Sequence, residues 1–88
     1  MVEAMTEAGV QSGLPEELAY DLARQTVIGS AALMEEEHDT HASVLRQNVT
    51  SPKGTTEAGL SELMNGEFQK RITRTIEAAK KRGAELNG

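Results

Sequence analysis

No cysteine occurs among the 88 residues, which removes disulfides, thiol chemistry and cysteine-based zinc sites. Aromatic side chains are nearly missing as well. Tyr20 and Phe68 are the whole supply, so a core has to come from Leu, Ile, Val, Met and Ala. Basic charge is scarce: nine Lys and Arg stand against fourteen Asp and Glu, a net charge of −5. That balance argues against nucleic acid as a partner, which would need a concentrated basic surface. No apolar run reaches bilayer-spanning length, and the N-terminus lacks the basic and then apolar order of a signal peptide. The expectation is a soluble, cytoplasmic protein with no membrane partner. Also missing are a G-x-G-x-x-G fingerprint and any alternation of strand and helix patterns, so residues 1–88 offer no dinucleotide fold.

What is present is helical periodicity, and it predicts an all-α domain of about five helices spanning residues 1–88. Met1 to Val10 forms a weak first stripe through Val2, Met5, Ala8 and Gly9, ending near Gly9. Pro15, Glu16 and Glu17 suit the start of a second helix whose face is Leu18, Leu22 and Val27 or Ile28, with Ala19 and Ala23 beside it. From Thr26 to Met34 that helix is apolar or small nearly all round, so it has no face suited to water. A chain of this length has little material to cover such a helix, and a second subunit is the natural cover. The alternative is an ordinary core helix of a monomer.

Acidic residues oppose the dipole at a helix C-terminus, so the helix should stop within Glu35-Glu36-Glu37-His38-Asp39-Thr40-His41. His38-x-x-His41 amid carboxylates is read as a solvated acidic turn, with no metal expected. Thr40 is the candidate cap of a short third helix through Ala42, Val44 and Leu45. Asn48-Val49-Thr50 matches a glycosylation acceptor, but no secretory signal accompanies it. Asn65-Gly66 marks a sharp turn into the last helix, about Glu67 to Leu86. There Phe68, Ile72, Ile76, Ala79, Gly83 and Leu86 recur at spacings of three and four, and basic residues gather in the final turns.

Thr50-Ser51-Pro52-Lys53-Gly54-Thr55-Thr56-Glu57-Ala58-Gly59 is the stretch with chemical content. Ser51-Pro52 ends the preceding helix, because proline lacks an amide donor and restricts the residue before it. Gly54 is free to turn with positive φ, and Thr55 or Thr56 is placed to cap a fourth helix through Leu60, Leu63 and Met64. A turn that delivers free amides and hydroxyls to a helix start suits a phosphate or a carboxylate. The plainer alternative is a capped connection between two helices.

TSPKGTTEAGL, Thr50 to Leu60, resembles the signature of the pyrroline-5-carboxylate reductases, whose usual form is Ser-Pro-Gly-Gly-Thr-Thr, then a small residue, glycine and leucine. Glu7-Ala8-Gly9-Val10, Gly13-Leu14-Pro15, Ala23-Arg24-Gln25-Thr26-Val27 and Glu77-Ala78-Ala79 are similar to the same family's C-terminal domain, so nearly the whole chain takes part. The resemblance implies an intertwined, compact helical dimer, as a homodimer or a larger homo-oligomer. It also implies that NADP or NAD is held by a nucleotide domain outside these residues, so the chain alone should lack reductase activity. The substrate so implied is 1-pyrroline-5-carboxylate, reduced to L-proline. Its carboxylate would meet Ser51, Gly54, Thr55 and Thr56, and Thr56 would be the catalytic candidate, hydrogen-bonded to the ring nitrogen. Lys53 stands where the family usually has its first glycine, and either adds attraction for the carboxylate, obstructs it or projects into solvent. Gln47 stands where an aspartate is common. The competing class is a non-enzymatic helical association module.

Overall fold

Five helices and no strand make up the protein in a computed structural model that describes residues 1–88. They are α1 (Val2–Gln11), α2 (Glu16–Glu36), α3 (Ala42–Asn48), α4 (Thr55–Leu63) and α5 (Glu67–Asn87). The all-α expectation and the number of helices agree with this. The chain divides into two parts, Met1–Leu45 and Arg46–Gly88.

In the first part α1 lies against α2. The contact is close because its residues are small: a Cβ on Gly9 would stand 3.0 Å from the Cβ of Ala19. Val2, Met5, Thr6 and Gly9 are half-buried there, and Ala19 and Ala23 are the chain's two buried residues, 2% and 4% exposed. Gly9 therefore serves the packing and does not end the helix, which continues to Gln11. The end comes at Gly13, with φ +108°. Its N–H donates to the Val10 carbonyl (3.0 Å), and the Leu14 N–H donates to the Gly9 carbonyl (3.1 Å). This pair of bonds is a Schellman motif, in which a left-handed glycine satisfies the last carbonyls. Leu14 closes it, lying 3.6 Å from the position of a Cβ on Gly9.

Pro15 caps α2 from extended backbone (φ −59°, ψ 146°), one position earlier than the first helical turn, and its carbonyl accepts from the Ala19 N–H (2.9 Å). The helix ends at Glu36, inside the acidic run, with no basic residue in its last turn. His41 takes the position before α3 that the sequence assigned to Thr40: its Nδ1 accepts from the Ser43 N–H (3.1 Å), and its carbonyl accepts from Val44 (2.9 Å). His38 lies beside Asp39 at 3.5 Å, both well exposed.

In the second part Gly66 turns the chain with φ +103°, and the Asn65 Oδ1 accepts from the Glu67 N–H (3.0 Å), so the Asn-Gly pair starts α5. The basic residues of α5 end at Arg82, and the last turn holds none. They therefore sit too early to face the terminal carbonyls closely, contrary to the dipole expectation. No residue of α3, α4 or α5 is buried. Ile76 and Leu86 on the α5 stripe are 62% and 70% exposed.

Candidate functional site

The loop between α3 and α4 starts with a fastening. Thr50 donates its hydroxyl to the Arg46 carbonyl (2.6 Å) and its N–H to the Gln47 carbonyl (3.1 Å), so the end of α3 and the start of the loop are tied by one residue. This double bond to the preceding turn is a common alternative pairing for a threonine at a helix end. Sequence reasoning placed Thr50 in the motif without this role. The expected result for Thr50→Val, which keeps the shape and removes the donor, is a loss of about 1 kcal/mol of stability, read as a lower midpoint in urea titration. An unchanged midpoint would show that the bond is dispensable.

Ser51, Pro52, Lys53 and Gly54 then form a tight turn, closed by the Gly54 N–H donating to the Ser51 carbonyl at 3.0 Å. Proline at its second position has its φ preset, and the third position carries positive φ, the pattern of a type II turn. That third residue is Lys53, at φ +62°, the chain's one non-glycine residue in the left-handed region. Gly54, though free to take positive φ, leaves it to Lys53. Gly54 is extended (φ −86°, ψ 177°) and is needed for space, since a Cβ there would meet the Ser51 carbonyl oxygen at 3.2 Å. A lysine held in a left-handed conformation costs about 1 kcal/mol relative to glycine.

Gly54 is also the residue that caps α4, and no side-chain oxygen bonds to the free amides. The capping role expected of Thr55 and Thr56 is therefore not the one they have. Both lie inside the first turn of α4, as its first and second residues, and are exposed. The first helical bond runs from the Ala58 N–H to the Gly54 carbonyl (3.2 Å), so the amides of Thr55, Thr56 and Glu57 precede it and have no helical acceptor. Three unpaired amides at the positive end of a helix dipole, with two free hydroxyls, attract an anion. Lys53 and Glu57 are the only charged residues from Thr50 to Gly59, one of each sign.

All the expected site residues, Ser51, Lys53, Gly54, Thr55 and Thr56, are thus gathered on one turn and the helix start it feeds. What they lack is a wall. Ser51, Lys53, Thr55 and Thr56 are exposed and Gly54 is half-buried. Two clefts of the chain lie elsewhere: about 470 Å³ between α1 and α2 beside Tyr20, and about 370 Å³ where α4 meets α5 beside Phe68. Gln47 is exposed, and its carbonyl serves the Thr50 bond.

Residues 1–86 match the family model described as pyrroline-5-carboxylate reductase dimerisation. The chain is 48% identical over 86 residues to a pyrroline-5-carboxylate reductase of Arabidopsis thaliana, 98% of this chain being covered. Over the same length it is 42% identical to the Glycine max and Synechocystis proteins of that name, again with 98% covered. It spans about a third of the length of these relatives, 31%, 31% and 32% respectively.

Proposed function

The chain belongs to the pyrroline-5-carboxylate reductase dimerisation family, and we propose that it forms the C-terminal, self-associating part of a cytoplasmic NADPH- or NADH-dependent enzyme that reduces 1-pyrroline-5-carboxylate to L-proline. What supports this reading is the turn at Ser51 to Thr56. It presents unpartnered amides and hydroxyls in the order of residues that the family uses for a ring bearing a carboxylate. The amides of Thr55 and Thr56, with the Ser51 hydroxyl, receive the carboxylate oxygens. The Lys53 ammonium adds charge attraction. With the carboxylate held, the ring nitrogen falls to the Thr56 hydroxyl.

A reduced nicotinamide, when bound by another part of the full-length protein, supplies the hydride to the imine carbon. The C=N π electrons then move to nitrogen, which takes a proton. Threonine is a poor acid near neutrality, so Thr56 orients the nitrogen and relays a proton from water. The reading assigns the nucleotide to another part of the protein, since residues 1–88 contain no G-x-G-x-x-G. The purified 88-residue chain is accordingly expected to show no NAD(P)H oxidation with 1-pyrroline-5-carboxylate. Turnover by the chain alone would count against this division of labour.

The role of Lys53 is tested in the full-length enzyme by Lys53→Gly, with L-proline affinity measured by calorimetry. Glycine fits the left-handed turn without strain, so the fold stays intact and the change isolates the side chain. The expected result is roughly threefold to tenfold weaker binding at low salt, with a difference that shrinks as ionic strength rises. Tighter binding after the change would mark the lysine as an obstruction.

A further inference from the structure

Two asparagines are followed by glycine, Asn65 and Asn87, and their surroundings differ. We infer that Asn65 is a self-modifying position, which cyclises onto Gly66 with loss of ammonia and then hydrolyses to aspartate and isoaspartate, while Asn87 is protected. In this reaction the Gly66 nitrogen gives up its proton to solvent and attacks the Asn65 Cγ. The new C–N bond closes a succinimide ring. The Cγ–Nδ2 bond breaks, and the departing nitrogen takes a proton from water to leave as ammonia. Water then adds to one of the two ring carbonyls. Attack at Cγ reopens the new bond and leaves aspartate. Attack at the main-chain carbonyl breaks the original peptide bond, so the chain now runs through the side-chain carbon as isoaspartate. The only co-reactant is water.

The turn between α4 and α5 supplies what this chemistry needs. Its nucleophile is free, because the Gly66 N–H takes part in no hydrogen bond. Gly66 stands at φ +103° with nothing within 4 Å of an added Cβ, so no side chain screens its nitrogen. The electrophile is oriented as well. Asn65 Oδ1 accepts from the Glu67 N–H at 3.0 Å, which folds the side chain back over the peptide it has to meet. As the nitrogen attacks, negative charge develops on that same oxygen. The Glu67 N–H, at the positive end of the α5 dipole, then stabilises it as an oxyanion donor. Asn65 is exposed, so water reaches the ring.

Asn87 has the same neighbour and a different setting. It is the last residue of α5, and the Gly88 N–H donates to the Ala84 carbonyl at 2.9 Å. That bond withholds the proton and keeps the peptide in helical geometry. The products at Asn65 also differ from each other. Aspartate keeps an acceptor for the Glu67 N–H, and its charge suits the helix start. Isoaspartate adds a carbon to the main chain at the turn, and the start of α5 loses its fixing.

The test incubates the full-length protein carrying this domain at neutral pH, folded by circular dichroism, beside a sample unfolded in urea. Peptide mapping by mass spectrometry gives the rate of ammonia loss at each asparagine. The expected ratio of rates, Asn65 over Asn87, is larger in the folded sample by about fivefold or more, the worth of the hydrogen bond that Gly88 has to break. Aspartyl and isoaspartyl forms of the Asn65 peptide should accumulate together, because both arise from one ring. An equal ratio in the two samples would overturn the inference, as would aspartate without isoaspartate, the mark of direct hydrolysis. So would an Asn65 that stays intact in the folded protein while it reacts in urea.

Discussion

In the full-length enzyme carrying this domain, Thr56→Val lowers kcat/KM by about 10- to 100-fold, the worth of one hydrogen bond to a centre of developing charge. The substitution keeps the branched shape of the side chain and removes only the hydroxyl. Because no side-chain oxygen caps α4, the hydroxyl has no structural duty at the helix start, and thermal stability should stay close to the parent. A fall in stability parallel to the fall in turnover would assign Thr56 to the fold. Thr56→Ser restores the donor at the same position and should recover most of the rate, which a purely steric role would not do. If the valine variant turns over like the parent, the turn is a connection and the reduction is carried elsewhere.

The second large effect is expected from Ala32→Glu. Ala32 is exposed and lies on the outer side of α2, next to Gly29 in the stripe of Leu18 and Leu22. A carboxylate there has to be desolvated against an apolar partner in both copies, at several kcal/mol per ion. The dimer's dissociation constant should rise by about 1,000-fold or more. Helicity should be lost with it, since two alanines are the chain's only buried residues and folding is then linked to association. Sedimentation and circular dichroism should fall at the same protein concentration. Lys81→Ala, on the face of α5 away from its stripe, is the control and should leave both unchanged. A folded, helical Ala32→Glu monomer would contradict the linkage.

Much of this architecture was legible because helix ends are written in a few residue types. Pro15, the acidic run after Met34 and Asn65-Gly66 each fall at or beside a boundary, whereas Gly9, read as the end of α1, lies inside it. The loop's chemistry was legible as a motif, and its residues do share one turn. Three local details were not. Which of Thr40 and His41 precedes α3 depends on a ring nitrogen accepting a hydrogen bond, and neighbouring residues with similar reach look alike in sequence. Whether Thr55 or Thr56 caps α4 depends on where the helix begins, and it begins one residue earlier than a threonine cap requires. Gly54 is the residue freest to carry a positive φ. Ser-Pro at the first two turn positions instead sends it to the third, Lys53. The apolar stripes could be read residue by residue, yet a stripe does not say what covers it.

The near absence of buried residues also sets a clock. Helical turns form and melt within about a microsecond, because every bond of an α-helix is local, and here they persist only once a second copy covers them. Two chains at ~1 μM, meeting at ~10⁵–10⁶ M⁻¹s⁻¹, need on the order of 1–10 s to find each other. Between those times the leucine, isoleucine and phenylalanine side chains of α2 and α5 face water on a newly made chain. Maturation should therefore be second order, faster where synthesis is dense, and most vulnerable to proteases in cells that make the protein sparingly.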